Sequence, residues 1–148
     1  MYASPVWRCR RIDRLMSRRE LREQIFKLLF RIEFNSDEEM RTQCELFFDS
    51  PDDDFSEEDE KYIQDKYDSI HSKLEDIDSM INEKAKGWDS DRMGKVELTI
   101  IRLGVYEIMY DDDVPVSVAI NEAVELAKKF GQDKSHGFVN AVLAKFVE

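Results

Sequence analysis

The chain has 148 residues, 42% of them hydrophobic and 11% aromatic, with a formal net charge of −11. That length and composition suit one compact domain with a single core and argue against wholesale disorder. No apolar run approaches the roughly 18 residues of a membrane span, and MYASPVWRCRRIDRL lacks the apolar middle of a secretory signal, so the expected compartment is cytoplasmic.

The charge is unevenly divided. Residues 1 to 31 carry nine Lys/Arg against three Asp/Glu, a balance of +6, which leaves −17 for the remainder. Cys9 and Cys44 fit no CxxC or finger spacing and are expected to be two reduced thiols, Cys44 packed in a helix. Residues 1–15 show no apolar period. They read as an ordered basic arm, a disordered tail or an over-called translation start before Met16, with the last two favoured.

Ser17-x-x-Glu20 has the pattern of a capping box, and Leu21, Ile25, Leu28, Leu29 and Ile32 then recur at helical spacing, predicting a first helix through Phe34. A second, short helix is expected over Asp37 to Phe48, closed by DSPDDDF. Ser56 precedes Glu57, Glu58, Asp59 and Glu60, a helix start with acids where the dipole favours them. The seam Ile63, Tyr67, Ile70, Leu74, Ile77 and Ile81 predicts one long helix through about Lys84. An intramolecular bundle is preferred to a coiled coil for so short a heptad run.

KGWDSDRMGK reads as a connector with Trp88 as its apolar anchor, and the segment Val96 to Tyr110 is apolar enough to be the central, most buried helix. Gly104 inside it weakens the helix unless it permits a close helix contact, which is the expectation. DDDVP breaks that helix. VSVAINEAVELAKKFG forms the next, with Ala119, Ile120, Ala123, Leu126, Ala127 and Phe130 inward and Gly131 as a left-handed stop. Ser135 is placed to cap a last helix carrying Phe138, Val139, Val142, Leu143 and Phe146. No segment alternates with the strand period, so the expected fold is all-α, a compact single-domain bundle of about six or seven helices.

Candidates for catalysis are few. His71 and His136 have no metal-ligand spacing and read as surface or capping histidines; the glycines make no phosphate-cradling loop, and the acid runs lack an EF-hand's alternation. No enzyme, catalytic residue, metal or cofactor is expected. Arg18, Arg19 and Arg22 stand apart, because cations at a helix N-terminus oppose the dipole. They are read either as pairing with the chain's own acids or as a phosphate-binding patch, in which guanidinium forks meet backbone oxygens.

The segment DVPVSVAINEAVELAKKFGQDKSHGFVNAVLAKF, residues 113–146, resembles the signature of the bacterial transcription antitermination factor NusB family, in which VP, AINEA, ELAK, FG, SH and FVN occur in this order. IIRLGVYEI at residues 100–108 and the RRELR…LLF opening are similar to that family too, so the resemblance covers residues 16–148. It implies a NusB-like helical RNA-binding domain over 16–148, with 1–15 as an N-terminal extension. The same module opens certain ribosomal RNA methyltransferases, which need a further Rossmann-like domain; a free-standing factor is the expectation here.

Further implications of the resemblance concern partners and sites. The family binds single-stranded boxA RNA of nascent, chiefly ribosomal RNA, transcripts together with the ribosomal protein NusE, and joins the elongating RNA polymerase complex. Carried over by position, RNA contact falls on Arg18, Arg19 and Arg22 and on the turn into the last helix, at Lys134 and Phe138. Better-known members carry an acid where this chain has Lys134, and burial of Phe138 in the core is weighed equally with base stacking. The NusE-facing positions would be Phe30 and Glu97, against simple core and solvated-acid readings. Asn121 and Glu122 are expected to satisfy polar groups between helices. The alternative function is a helical protein–protein adaptor or homodimerisation module using the 63–81 seam.

Overall fold

The S-x-x-E pattern folds as its spacing requires. Ser17 Oγ accepts a hydrogen bond from the Glu20 amide at 3.1 Å and Glu20 Oε1 accepts one from the Ser17 amide at 2.9 Å, opening helix α1 (Arg18–Phe30). The computed structural model describes residues 15–50, 55–85 and 93–147. Among these are seven α-helices, one 3-10 turn and no strand. The expected N-terminal tail, Cys9, the acid cluster at 52–54 and the Trp88 anchor lie outside the described residues, apart from Leu15 at the end of the tail. The chain divides into two units, one running through Asp68 and the other from Ser69 onward.

In the first unit α1 ends earlier than its apolar period suggests. Arg31–Phe34 tighten into a 3-10 turn, where the Asn35 side chain takes the Arg31 carbonyl at 2.8 Å and Asn35 itself is extended. A second capping box, Ser36 with Glu39, starts α2 (Asp37–Phe48), and its hydrogen bonds hold the Glu39 carboxyl below its usual range. Arg31 Nη1 donates to the backbone oxygen and side-chain oxygen of Gln43 at 3.2 and 3.1 Å and lies over the Phe47 ring. Phe47 in turn stacks on Phe55. Cys44 is a buried free thiol whose pKa burial pushes up.

The long helix predicted through Lys84 is two helices, α3 (Glu57–Ser72) and α4 (Leu74–Lys84). Ser72 Oγ donates to the Ser69 carbonyl at 2.8 Å, and the Lys73 amide donates to Ile70, three residues back, instead of continuing the four-residue ladder. The apolar seam survives the break, since Ile63, Ile70, Ile77 and Ile81 are all fully buried. That burial leaves the seam unavailable for pairing with a second copy.

In the second unit α5 (Lys95–Tyr110) packs against α4, α6 (Val116–Phe130) and α7 (Ser135–Ala144), and α6 also packs against α7. It is the central helix its composition predicts, with Ile100, Ile101 and Val105 fully buried. Arg102 Nε and Nη2 each donate to an oxygen of Asp78 at 2.8 Å, a two-pronged tie between α5 and α4. Gly131 is extended, with φ −95° and ψ −166°, so it is not the left-handed stop expected. Asn121 is exposed on α6 and Glu122 half-buried, so Asn121 does not fill the interhelical polar role expected of it.

Two glycines in this unit should respond oppositely to alanine. A Cβ on Gly104 would stand 2.8 Å from Cδ1 of the fully buried Leu143, whereas one on Gly137 would meet nothing within 4 Å. Gly104→Ala should lower stability by about 1–3 kcal/mol. Gly137→Ala should raise it by about 0.5–1 kcal/mol. Urea denaturation of both variants checks this, and shifts in the same direction would contradict the close α5–α7 approach.

Candidate nucleic-acid interface

The cations singled out in the sequence fall at the starts of two helices, one in each unit. Arg18 and Arg19 are exposed in the first turn of α1, and Arg22 is half-buried one turn on. Leu21 and Ile25 on the same helix are buried, so apolar anchors hold the helix while the exposed arginines face solvent. Glu20 is the one acid in that first turn, and the capping box already uses it. Arg19 and Arg22 each also have an interaction inside the chain, which an incoming phosphate would have to share.

The entry to α1 is tied down from behind. Asp59 is buried, its Oδ2 accepts the Met16 amide at 2.9 Å, and its own amide donates to Ser56 Oγ at 3.1 Å. It occupies the first turn of α3, where the helix dipole favours a carboxylate. Sequence reasoning placed Asp59 at a helix start but gave no hint that it reaches the chain just before Arg18.

In the second unit, Lys134 is exposed immediately before α7, and Phe138 is half-buried one turn in, its amide donating to the Lys134 carbonyl at 3.3 Å. The first turn of α7 contains no acid. A cation beside a helix N-terminus is an arrangement suited to an anion. Ser135 does not cap this helix as expected. Its hydroxyl oxygen accepts the Gln132 amide at 2.9 Å, while its hydroxyl proton goes to Glu97 Oε2. Gly131 is needed here for space: a Cβ would lie 2.6 Å from Ser135 Cβ and 2.8 Å from the Ala127 carbonyl oxygen.

Glu97 is therefore half-buried and hydrogen-bonded, which corrects the solvated-acid reading. Phe30 is half-buried as well. It stacks on Phe26 at 6.0 Å and meets the exposed Phe34 edge-on at 5.2 Å, so an aromatic ladder leads from the core to the surface. Arg18, Arg19, Arg22 and Phe30 thus share α1, while Lys134, Phe138 and Glu97 are brought together around Ser135.

Among the described residues, no group of three or more His, Cys, Asp or Glu stands close enough to hold a metal ion. No helix among them is long and apolar enough to cross a membrane.

If Asp59 fixes the entry to α1, Asp59→Ala should speed hydrogen exchange at the Met16 amide and lower stability by about 1–3 kcal/mol. Exchange at the Gln132 amide should stay as in the wild type. Unchanged Met16 exchange would remove Asp59 from any part in presenting the arginines.

The NusB family model matches residues 19–148. The transcription antitermination protein NusB of Agathobacter rectalis is 50% identical over 134 residues, covering 88% of this chain and 99% of that protein. Among solved structures, T. maritima NusB superposes with a TM-score of 0.79 at 30% identity, covering 89% of this chain and 91% of that one. A crystal structure of antitermination factors NusB and NusE in complex with double-stranded RNA superposes with a TM-score of 0.68 at 27% identity, covering 86% and 92%.

Proposed function

The chain belongs to the NusB family of transcription antitermination proteins, which are non-enzymatic factors, and on that premise we propose how its own residues serve the role. It binds single-stranded boxA RNA of nascent transcripts, chiefly ribosomal RNA, together with NusE, and joins the elongating RNA polymerase complex in the bacterial cytoplasm. Arg18, Arg19, Arg22 and Lys134 hold phosphates, and Phe138 offers a ring face to a base. Phe30 and Glu97 face NusE.

The observation that carries this reading is the exposure of cations at two helix N-termini in a chain of formal net charge −11. At such positions backbone amides and guanidinium or ammonium groups act together on one anion, and phosphate relieves the repulsion between cation and dipole. The acidic remainder discourages nonspecific polyanion binding and leaves recognition to the local sites. The related NusB structure that contains NusE and RNA supports a joint complex; its RNA is double-stranded, so strandedness belongs in the test.

Phosphate contacts from the three arginines give a log–log salt slope of about −2 on a single strand, to which Lys134 adds about −0.7, so RNA affinity without NusE should be modest. Binding should be measured for boxA RNA, a scrambled strand and a boxA duplex, with and without NusE, over a salt series. The expected result is NusE-enhanced selectivity for the boxA strand, and loss of most of the salt slope in a folded Arg18/Arg19/Arg22→Ala variant. A wild type indifferent to RNA even with NusE bound would make the protein a protein-only adaptor. Light scattering with and without RNA reports any homodimer through a surface other than the buried seam.

A further inference from the structure

We propose that Ser135 is a positioning residue that carries the state of Glu97 to the RNA-contacting turn, so that a partner seated on Glu97 sets the geometry of Lys134 and Phe138. This rests on the reading of Glu97 as partner-facing and of the 134–138 turn as RNA-facing.

The link is a chain of two hydrogen bonds through one oxygen. Ser135 is 4% exposed, and its hydroxyl has a single proton, which it donates to Glu97 Oε2. With the proton directed there, a lone pair is left for the Gln132 amide, which donates to Ser135 Oγ at 2.9 Å. The Ser135 amide closes the same turn on the Gln132 carbonyl at 3.0 Å. Ser135 thus holds the turn from both its backbone and its side chain, and Lys134 lies inside the loop so closed.

The surroundings leave this hydroxyl little freedom. The Cα of Gly131 lies against Ser135 so closely that no Cβ fits there. Glu97 sits in the first turn of α5, the most buried helix of its unit, and its other carboxylate oxygen lies over Gly94, the residue that opens α5. Because Glu97 is only half-buried, a partner can reach the carboxylate from outside while Ser135 engages it from inside. A contact that fixes the carboxylate fixes the hydroxyl proton, and with it the Gln132 amide and the turn. Coupling of two sites through one shared hydrogen-bond chain must be reciprocal, so RNA on the turn strengthens the partner's grip on Glu97 by the same factor.

The test is amide hydrogen exchange and RNA affinity, each with and without saturating NusE, in wild type, Ser135→Ala and Glu97→Gln. In the wild type, NusE should slow exchange at Gln132 and tighten boxA binding. In Ser135→Ala, Gln132 exchange should no longer respond to NusE, and the enhancement of RNA affinity should drop about tenfold, within the usual range of coupling. Glu97→Gln keeps an acceptor oxygen for Ser135, so Gln132 should still respond once NusE is saturating.

Ser135→Ala that melts like the wild type and keeps the full enhancement would overturn the proposal, as would wild-type Gln132 exchange that ignores NusE. Should Ser135→Ala fail to fold, Glu97→Ala at saturating NusE is the substitute, with the same loss expected at Gln132; retention of the response would overturn the link. A wild type that binds no RNA, yet shows the NusE response at Gln132, would sink the RNA reading and leave the link standing.

Discussion

Cations at a helix N-terminus are the constraint on which the rest of this structure turns. The first amides of a helix are unpaired and positive, and a neighbouring arginine or lysine costs a few tenths of a kcal/mol or more there. The chain places Arg18, Arg19 and Arg22 at the start of α1 and Lys134 at the start of α7. At each place an acid of the same unit steadies the backbone at the helix start: Asp59 binds the Met16 amide, and Glu97 acts through Ser135 on the Gln132 amide. The acids thus oppose disorder at the helix start without covering Arg18, Arg19 or Lys134, which stay exposed. On the function proposed above, phosphate is the ligand that would remove the remaining electrostatic cost.

The same division of labour accounts for the rest of the chain. Buried aliphatic residues on α5 hold α4, α6 and α7, and the close Gly104–Leu143 approach lets α7 sit tightly on α5. A tightly seated α7 fixes where Lys134 and Phe138 emerge. In the first unit, the buried face of α1 and the second capping box at Ser36 hold the helix that displays the arginines. Such a scaffold displays charge and shape, which suits a non-enzymatic antitermination factor.

Much of this was legible in the sequence. The S-x-x-E spacing at Ser17, the limits of α2, the burial of α5 and the role of Gly104 all follow from local rules of capping, periodicity and helix packing. What was missed depends on single hydrogen bonds. The break at Lys73 coincides with one serine hydroxyl on a backbone carbonyl and leaves the apolar seam in register, so it leaves no mark in the pattern. Gly131 is required for space beside Ser135, a reason that only tertiary contact reveals. The Met16–Asp59 and Ser135–Glu97 bonds join residues 43 and 38 positions apart, beyond the reach of any short motif. The capping box at Ser36, by contrast, could have been read from the same S-x-x-E pattern as the first.

The central claim is that the exposed cations at the start of α1 and at the start of α7 are each RNA-contacting sites. The direct measurement is an amide hydrogen-exchange footprint of the wild-type protein with NusE alone and with NusE plus boxA RNA. The account predicts that RNA adds protection at residues 17–22 and 132–138 together. RNA protection that spares both segments, or that falls on one and never the other, would contradict it.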